Sequence, residues 1–472
     1  MSRHAVIMLA LTVLLLPGAA LSQTVLKSDA ADQVEVKVTV YNNNLGLIKD
    51  IREINLPVGQ GELRFMDVAS HIMPATVHAK SLDAPDEFAV LEQNYEYDLM
   101  NEKKLLDKYV GKKLKIVDWN RQQDRRETVE AILLSNNDGQ VYRIGDEIYL
   151  GYPGYKVLPQ LPEDLIAKPT LTWLYENNRK KPQKLEVSYL TDQISWRADY
   201  VLVLNEKDTA ADLSGWVTLD NKSGAAYRDA QLKLVAGKVN RVEDEYKKAK
   251  FVLEEIVVTK SEAFEEKEFF EYHIYDLQRK TTIKDQQTKQ VSLLAADGIE
   301  IKKELLTYGI QGYFNRKYSG QDLKNPVKVY IEFINAKNNR LGMPFPAGIM
   351  RLYKKDDDAS LQFIGEDNIS HTPKDEKVRL SIGEAFDVVA ERIQTDYRQI
   401  TSHLHESEWE ISLRNRKEEN ITVGVIEPLF GNWEMIRNSH PYQKEDAFTL
   451  RFNVEVPKGK EVKINYRIRV GL

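Results

Sequence analysis

The chain has 472 residues, 42% hydrophobic and 29% charged, with a formal charge of −6 and no cysteine. Its length allows a large core and about three domains, in a composition typical of soluble globular proteins. The mild acidity leaves no electrostatic footprint for nucleic acid, and the missing thiols exclude disulfides, thiolate catalysis, cysteine metal sites and lipidation at a mature N-terminal cysteine.

The first 22 residues read as a secretory signal. Arg3 supplies the positive start, Ala5 to Leu16 form an apolar run, and Pro17-Gly18 break the helix before the small residues Ala20 and Ser22. Cleavage is expected between Ser22 and Gln23, since an apolar run of about a dozen residues is too short to span a bilayer. No later stretch approaches a span. The expectation is an exported protein, periplasmic or extracellular, with no transmembrane segment after signal removal.

Strand patterning dominates from there. Val34, Val36, Val38 and Val40 alternate with polar residues, Asn42 to Asn44 read as a turn, and Leu45 to Leu56 return as a second strand. Gly59 and Gly61 are taken as turn residues. Asn101 is placed to cap a short helix whose Leu105, Leu106 and Tyr109 share a face, with Gly111 at its left-handed end. Short strands follow at 114–117, 129–134, 141–144 and 147–150, with Asp138-Gly139 as a hairpin signal. Strands at 185–189 and 199–204 flank a turn region at Ser195-Trp196, and 213–219 and 230–235 continue the sheet. Residues 243–271 form a charged excursion, partly loop. At the C-terminal end, Trp409, Ile411 and Leu413 alternate. So do Phe448 to Val456 and Val462 to Val470, read as a hairpin closed by Pro457 to Lys460.

The fold class expected is mainly β: antiparallel β-sandwich domains with a small SH3-like barrel insertion and few short helices. The domains expected are 23–94 (N-terminal β-domain), 95–160 (SH3-like insertion), 161–380 (central sandwich with the excursion) and 381–472 (immunoglobulin-like sandwich). The absence of βαβ alternation disfavours an α/β enzyme fold.

Several strings carry a resemblance. They are Leu213-Ser214-Gly215-Trp216-Val217-Thr218-Leu219-Asp220-Asn221 with Leu234 to Asn240, and Phe270 to Tyr275 leading into Lys289 to Val291. The most specific are Gly342-Met343-Pro344-Phe345-Pro346-Ala347-Gly348, Phe363 to Asp367, Thr372 to Glu376 and Ala385 to Arg392. In content and order, from roughly Val34 to the C-terminus, the chain resembles the bacterial domain of unknown function 4139 family. The resemblance implies an exported β-rich bacterial protein and brings no catalytic residues with it. Mucoidy-inhibitor-like relatives carry a coiled-coil region that this chain lacks.

The places where chemistry could reside are few. His403 and His405, two apart, would point the same way on a strand beside Glu406 and Glu408, the best local metal-like spacing. His371 could pair with Asp367 or Asp375 as base and acid, although Asp, Asn, Ser and Thr beside Pro373 also serve turn hydrogen bonding. His273 reads as a hydrogen-bonded sheet residue, and Asp356 to Asp358 as a hairpin turn. Sequons at Asn221, Asn368 and Asn420 matter only in a glycosylating host. Trp119 is expected to be exposed, with Trp196 and Trp216 in the core.

The function expected is that of a non-catalytic, cofactor-free protein of the cell envelope, binding a protein partner through sandwich surfaces or sheet edges. The alternative is glycan binding or hydrolysis, with exposed aromatics and two opposed carboxylates. The sequence carries no signal for oligomeric state.

Overall fold

The alternating valines form the strand their pattern requires, Gln33–Tyr41, in which Val36, Val38 and Val40 are buried and Val34, at its start, is exposed. The structure, a computed structural model, describes residues 25–96, 100–120, 124–162, 168–237, 264–269, 272–318, 323–356, 358 and 360–471. The signal cleavage site and most of the charged excursion lie outside the described residues. Of the excursion, Phe264–Phe269 is described and is a strand paired with Tyr272–Leu277. The chain divides into two units, residues 1–36 with 49–189 and residues 37–48 with 190–472.

In the first unit, Val25–Ser28, Gly59–Met66, Thr170–Asn177 and Phe88–Glu96 form one sheet in that order. The first pair is parallel, the others antiparallel. Leu63, Phe65, Leu171, Trp173 and Tyr175 are fully buried on it. Gly61 lies inside a strand, not in a turn. It faces Tyr175 across the register, and a Cβ there would stand 2.6 Å from the Tyr175 hydroxyl.

The small module follows the expected pattern closely. Asn101 Oδ1 accepts from Lys104 N at 2.9 Å to start the helix Glu102–Tyr109, and Gly111 turns away with φ +82°. Five antiparallel strands follow, in the order Glu147–Leu150, Val141–Ile144, Arg125–Ser135, Lys113–Asn120, Tyr155–Val157. Leu106, Tyr109, Leu114, Ile116, Ala131, Leu133 and Tyr142 make its core. The sheet stays open: its edges, Glu147–Leu150 and Tyr155–Val157, are not paired with each other, so the expected barrel does not close.

In the second unit, one sheet runs Gln287–Glu300, Ala210–Asn221, Ile194–Leu204, Gly348–Lys355, Leu361–Ile369. Ser195 and Trp196 belong to its third strand; the turn is one residue group earlier, at Gln193, which has φ +62°. A larger sheet runs Asn432–Asn438, Glu461–Gly471, Leu404–Asn415, Lys377–Thr401, Leu323–Ile334, Lys302–Tyr308, Ile421–Pro428, Thr449–Val456, Tyr442–Asp446. The alternating C-terminal residues face inward, with Trp409, Phe452, Ile464, Tyr466 and Ile468 fully buried, except Phe448, which is exposed ahead of the strand Thr449–Val456.

The expected C-terminal hairpin is corrected. Thr449–Val456 pairs with Ile421–Pro428, whereas Glu461–Gly471 pairs with Leu404–Asn415. Both strands carry a fully apolar face, and each buries it in the same core from a different stretch of the sheet. The turn at 457–460 therefore carries the chain across the core rather than between neighbours. Parallel pairs also occur, between Ile194–Leu204 and Gly348–Lys355 and between Lys302–Tyr308 and Ile421–Pro428, so the sheets are mixed.

One device recurs at three strand ends. Asn177, Asn221 and Asn415 are each the last residue of a strand and each has no exposed surface. Every Oδ1 accepts the N–H two residues on, from Arg179, Ser223 and Lys417 at 3.2, 3.2 and 2.9 Å. Every Nδ2 donates to carbonyls of its own loop and of another segment. Asn221 reaches Ala225 and Lys284, and Asn415 reaches Glu419 and Val456. Because an unpaired buried polar group costs about 1–3 kcal/mol, Asn415→Ala should destabilise the second unit by about 2–4 kcal/mol. Urea unfolding of the purified variant checks this; a loss within experimental error would refute the corner's role. The same geometry closes the Asn221 sequon, whose amide is fully engaged inside the fold.

Candidate functional site

The most specific string of the sequence, Gly342 to Gly348, is held by side chains from several elements of the second unit. Prolines 344 and 346 remove two amide donors, so the loop depends on neighbouring side chains for its hydrogen bonds. Asn335, fully buried, donates from Nδ2 to Met343 O at 2.9 Å and to Pro373 O at 3.1 Å, and accepts from Gly342 N at 3.0 Å. Tyr275 donates its hydroxyl to Pro344 O, and Tyr200 donates to Pro346 O, both at 2.9 Å. Phe345 exchanges two backbone bonds with Thr372, at 2.8 and 2.9 Å, and its ring packs on Tyr200 and Phe333. Ala347 N donates to His371 Nδ1 at 3.1 Å. Gly348 then enters a strand so close to its neighbour that a Cβ would stand 2.1 Å from Ala198 O.

Burial pushes the Tyr200 and Tyr275 phenols well above their ordinary range, so both remain hydrogen-bond donors. Burial, and next the neighbouring His273, hold the His371 imidazole below its ordinary range. His273 Nδ1 lies 2.7 Å from Glu266 Oε1. The arrangement immobilises a loop; no nucleophile stands beside a base in it.

His371 and Asp367, for which the sequence left an acid–base pair open beside a turn role, are turned to different partners. His371 is turned to Ala347, while Asp367 accepts from Asn368 N at 2.8 Å and Ser381 N at 2.7 Å. Asp375 adopts φ +66° and pairs with Lys374. Asp367 thus ties Leu361–Ile369 to Lys377–Thr401, while Asp375 turns the chain with its left-handed backbone. The metal-like spacing of His403 and His405 does not place the two rings together either. His403 is exposed in a turn, whereas His405 is buried in Leu404–Asn415, stacked on Tyr397 with 2.8 Å between Nδ1 and the hydroxyl. The turn takes His403 out of the strand alternation that would have aligned the two rings. Among the described residues no group of three His, Asp or Glu is placed to hold a metal ion.

A cleft of about 710 Å³ borders Ile301, Phe333, Ile334, Lys337, Asp375 and Lys377. Its buried carboxylate, Glu332, is committed to Lys377 at 3.2 Å and Arg379 at 3.1 Å. That is not the free, opposed pair that glycoside cleavage requires.

The small module has a different kind of surface. Leu150 is 87% exposed, Tyr155 83%, Ile148 62% and Trp119 56%. Tyr155 faces Val117 in the register, which puts it on the same side of the sheet as Trp119. Leu150 and Ile148 lie on the opposite edge strand. Trp196 is buried, its Nε1 donating to Val235 O at 3.2 Å, and Trp216 is half-buried. Trp119 was legible from its polar surroundings. Leu150 was not, because the run Glu147-Ile148-Tyr149-Leu150 reads as an ordinary strand; its signal is that three apolar residues in a row leave no wet face.

The family model for the domain of unknown function DUF4139 matches residues 185–472, which include the proline loop and all its side-chain partners. No curated protein matches the chain. With more than half of its length matched, the chain belongs to the DUF4139 family.

Proposed function

We propose that this protein is exported to the cell envelope and acts there without catalysis, by binding a protein partner. The observation that carries the reading is the apolar surface of the small module on its two unpaired edge strands. Exposed apolar residues on sheet edges are what a contact surface needs and what an idle surface avoids. Export is supported by the sequence pattern of residues 1–22.

Leu150→Glu with Tyr155→Glu tests it. Both side chains are exposed, so the melting temperature should stay within about 2 °C of the parent. Retention of a protein partner from envelope extracts should fall at least about tenfold, the effect of losing anchoring residues. Undiminished retention, with folding intact, would defeat the assignment. A second reading, glycan binding, is favoured by Trp119 and Tyr155 sharing one face, since two aromatic platforms can stack sugar rings. A Trp119 fluorescence titration with soluble envelope glycan fragments separates the two: saturable quenching supports glycan, and none supports protein.

A further inference from the structure

We propose that His371 is an acid-released latch on the proline loop, holding Ala347 while its imidazole is neutral and letting go when it is protonated. Of the side chains that hold this loop, Asn335, Tyr275 and Tyr200 keep one hydrogen-bonding state across ordinary pH. His371 alone does not. Its Nδ1 accepts the Ala347 N–H at 3.1 Å, which requires the proton of the neutral ring to be on Nε2. A second proton can enter only at Nδ1. It converts the acceptor into a donor facing another donor, and the bond is lost.

The neighbours reinforce this sign. His273, on Tyr272–Leu277, is close enough to oppose a positive charge on His371, and it is itself held by Glu266 of Phe264–Phe269. Tyr275 on the same strand and Tyr200 on Ile194–Leu204 stay neutral. Asp367, on Leu361–Ile369, is engaged by backbone N–H groups, and Lys374 and Asp375 pair with each other, so none of the three compensates the new charge. Neighbouring groups crowd the His371 ring, yet the residue keeps surface open to solvent, so protons reach it without unfolding.

The direction follows from linkage. A histidine held below its ordinary value of 6.5 binds fewer protons folded than unfolded. Its contribution is complete above that value and disappears as pH falls through the folded pKa. What opens is the entry to Gly348–Lys355, the strand that lies parallel to Ile194–Leu204.

Hydrogen exchange by mass spectrometry on the purified chain, corrected for intrinsic rates, tests this. Peptides covering Ala347 should lose at least about tenfold protection between pH 7.5 and 5.0, the equivalent of one hydrogen bond. In His371→Gln, whose amide oxygen accepts but does not titrate, that loss should vanish. In His273→Gln the loss should occur at higher pH. Constant protection in the parent chain would overturn the proposal. So would equal losses in the parent and His371→Gln, which would assign the change to general loosening in acid.

Discussion

Arg392→Ala should lower the unfolding free energy of the second unit by about 3–5 kcal/mol. Arg392 Nη1 donates to Glu427 Oε2 at 2.7 Å, and the two side chains are 1% and 0% exposed. The guanidinium lies 5.1 Å from the Tyr313 ring, and Gly309 packs so tightly on the pair that a Cβ there would meet Glu427 Oε2 at 2.1 Å. Burial pushes the Glu427 carboxyl above its usual range, opposed by the Arg392 charge. Removing the cation leaves that carboxylate in an apolar core without its counter-charge, beside only the neutral Tyr466 hydroxyl. The pair itself is another matter. Arg392 Nε and Glu427 Oε1 have no hydrogen-bond partner, so its desolvation is incompletely offset. Arg392→Met combined with Glu427→Leu should therefore recover the parent stability or exceed it by about 1–4 kcal/mol. Urea unfolding read by hydrogen exchange, peptide by peptide, reports this unit separately from the first.

Arg52→Ala should cost the first unit a similar amount, about 3–5 kcal/mol, but the apolar rescue should fail. Arg52 is 1% exposed and every nitrogen of its guanidinium is used. Nε and Nη2 donate to Asp50 Oδ2 at 3.1 and 2.8 Å, Nη1 to Ser28 O at 2.9 Å, and Nη2 to Met66 O at 2.8 Å. Its plane sits 3.6 Å over the Phe65 ring. In Arg52→Met with Asp50→Leu the carbonyls of Ser28 and Met66 stay buried and unpaired, at about 1–3 kcal/mol each. The double variant should thus remain well below the parent. Full recovery would show that the four bonds contribute little, contrary to this account.

The contrast bears on what was legible in the sequence. Strands with one apolar face, such as Val36 to Val40 and Ile464 to Val470, announced themselves by period two. The same parity held a further signal: Val388, Ala390 and Arg392 form one inward series, and Val423, Val425 and Glu427 another. A charge continuing an apolar series marks a buried ion, although each string alone reads as an ordinary strand end. Asn177, Asn221 and Asn415 carried no such signal, because their second partners lie up to 121 residues away and no local pattern shows them. The Pro457 to Lys460 turn looked like a hairpin because a turn's residues fix its bend and not the pairing of its flanks. The histidines were open for a related reason. The spacing of His403 and His405 and the composition around His371 allowed a site or a structural role alike, and the backbone turn at 402–403 and the amide of Ala347 set where the rings lie.

The function proposed here rests on contact through the small module. Photo-crosslinking in the native envelope tests that most directly, with the reactive group at Leu150 in one variant and at Glu418, exposed in the second unit, in another. The account predicts one discrete protein adduct from Leu150 and none from Glu418. No adduct at Leu150, or the same products from both positions, would contradict it.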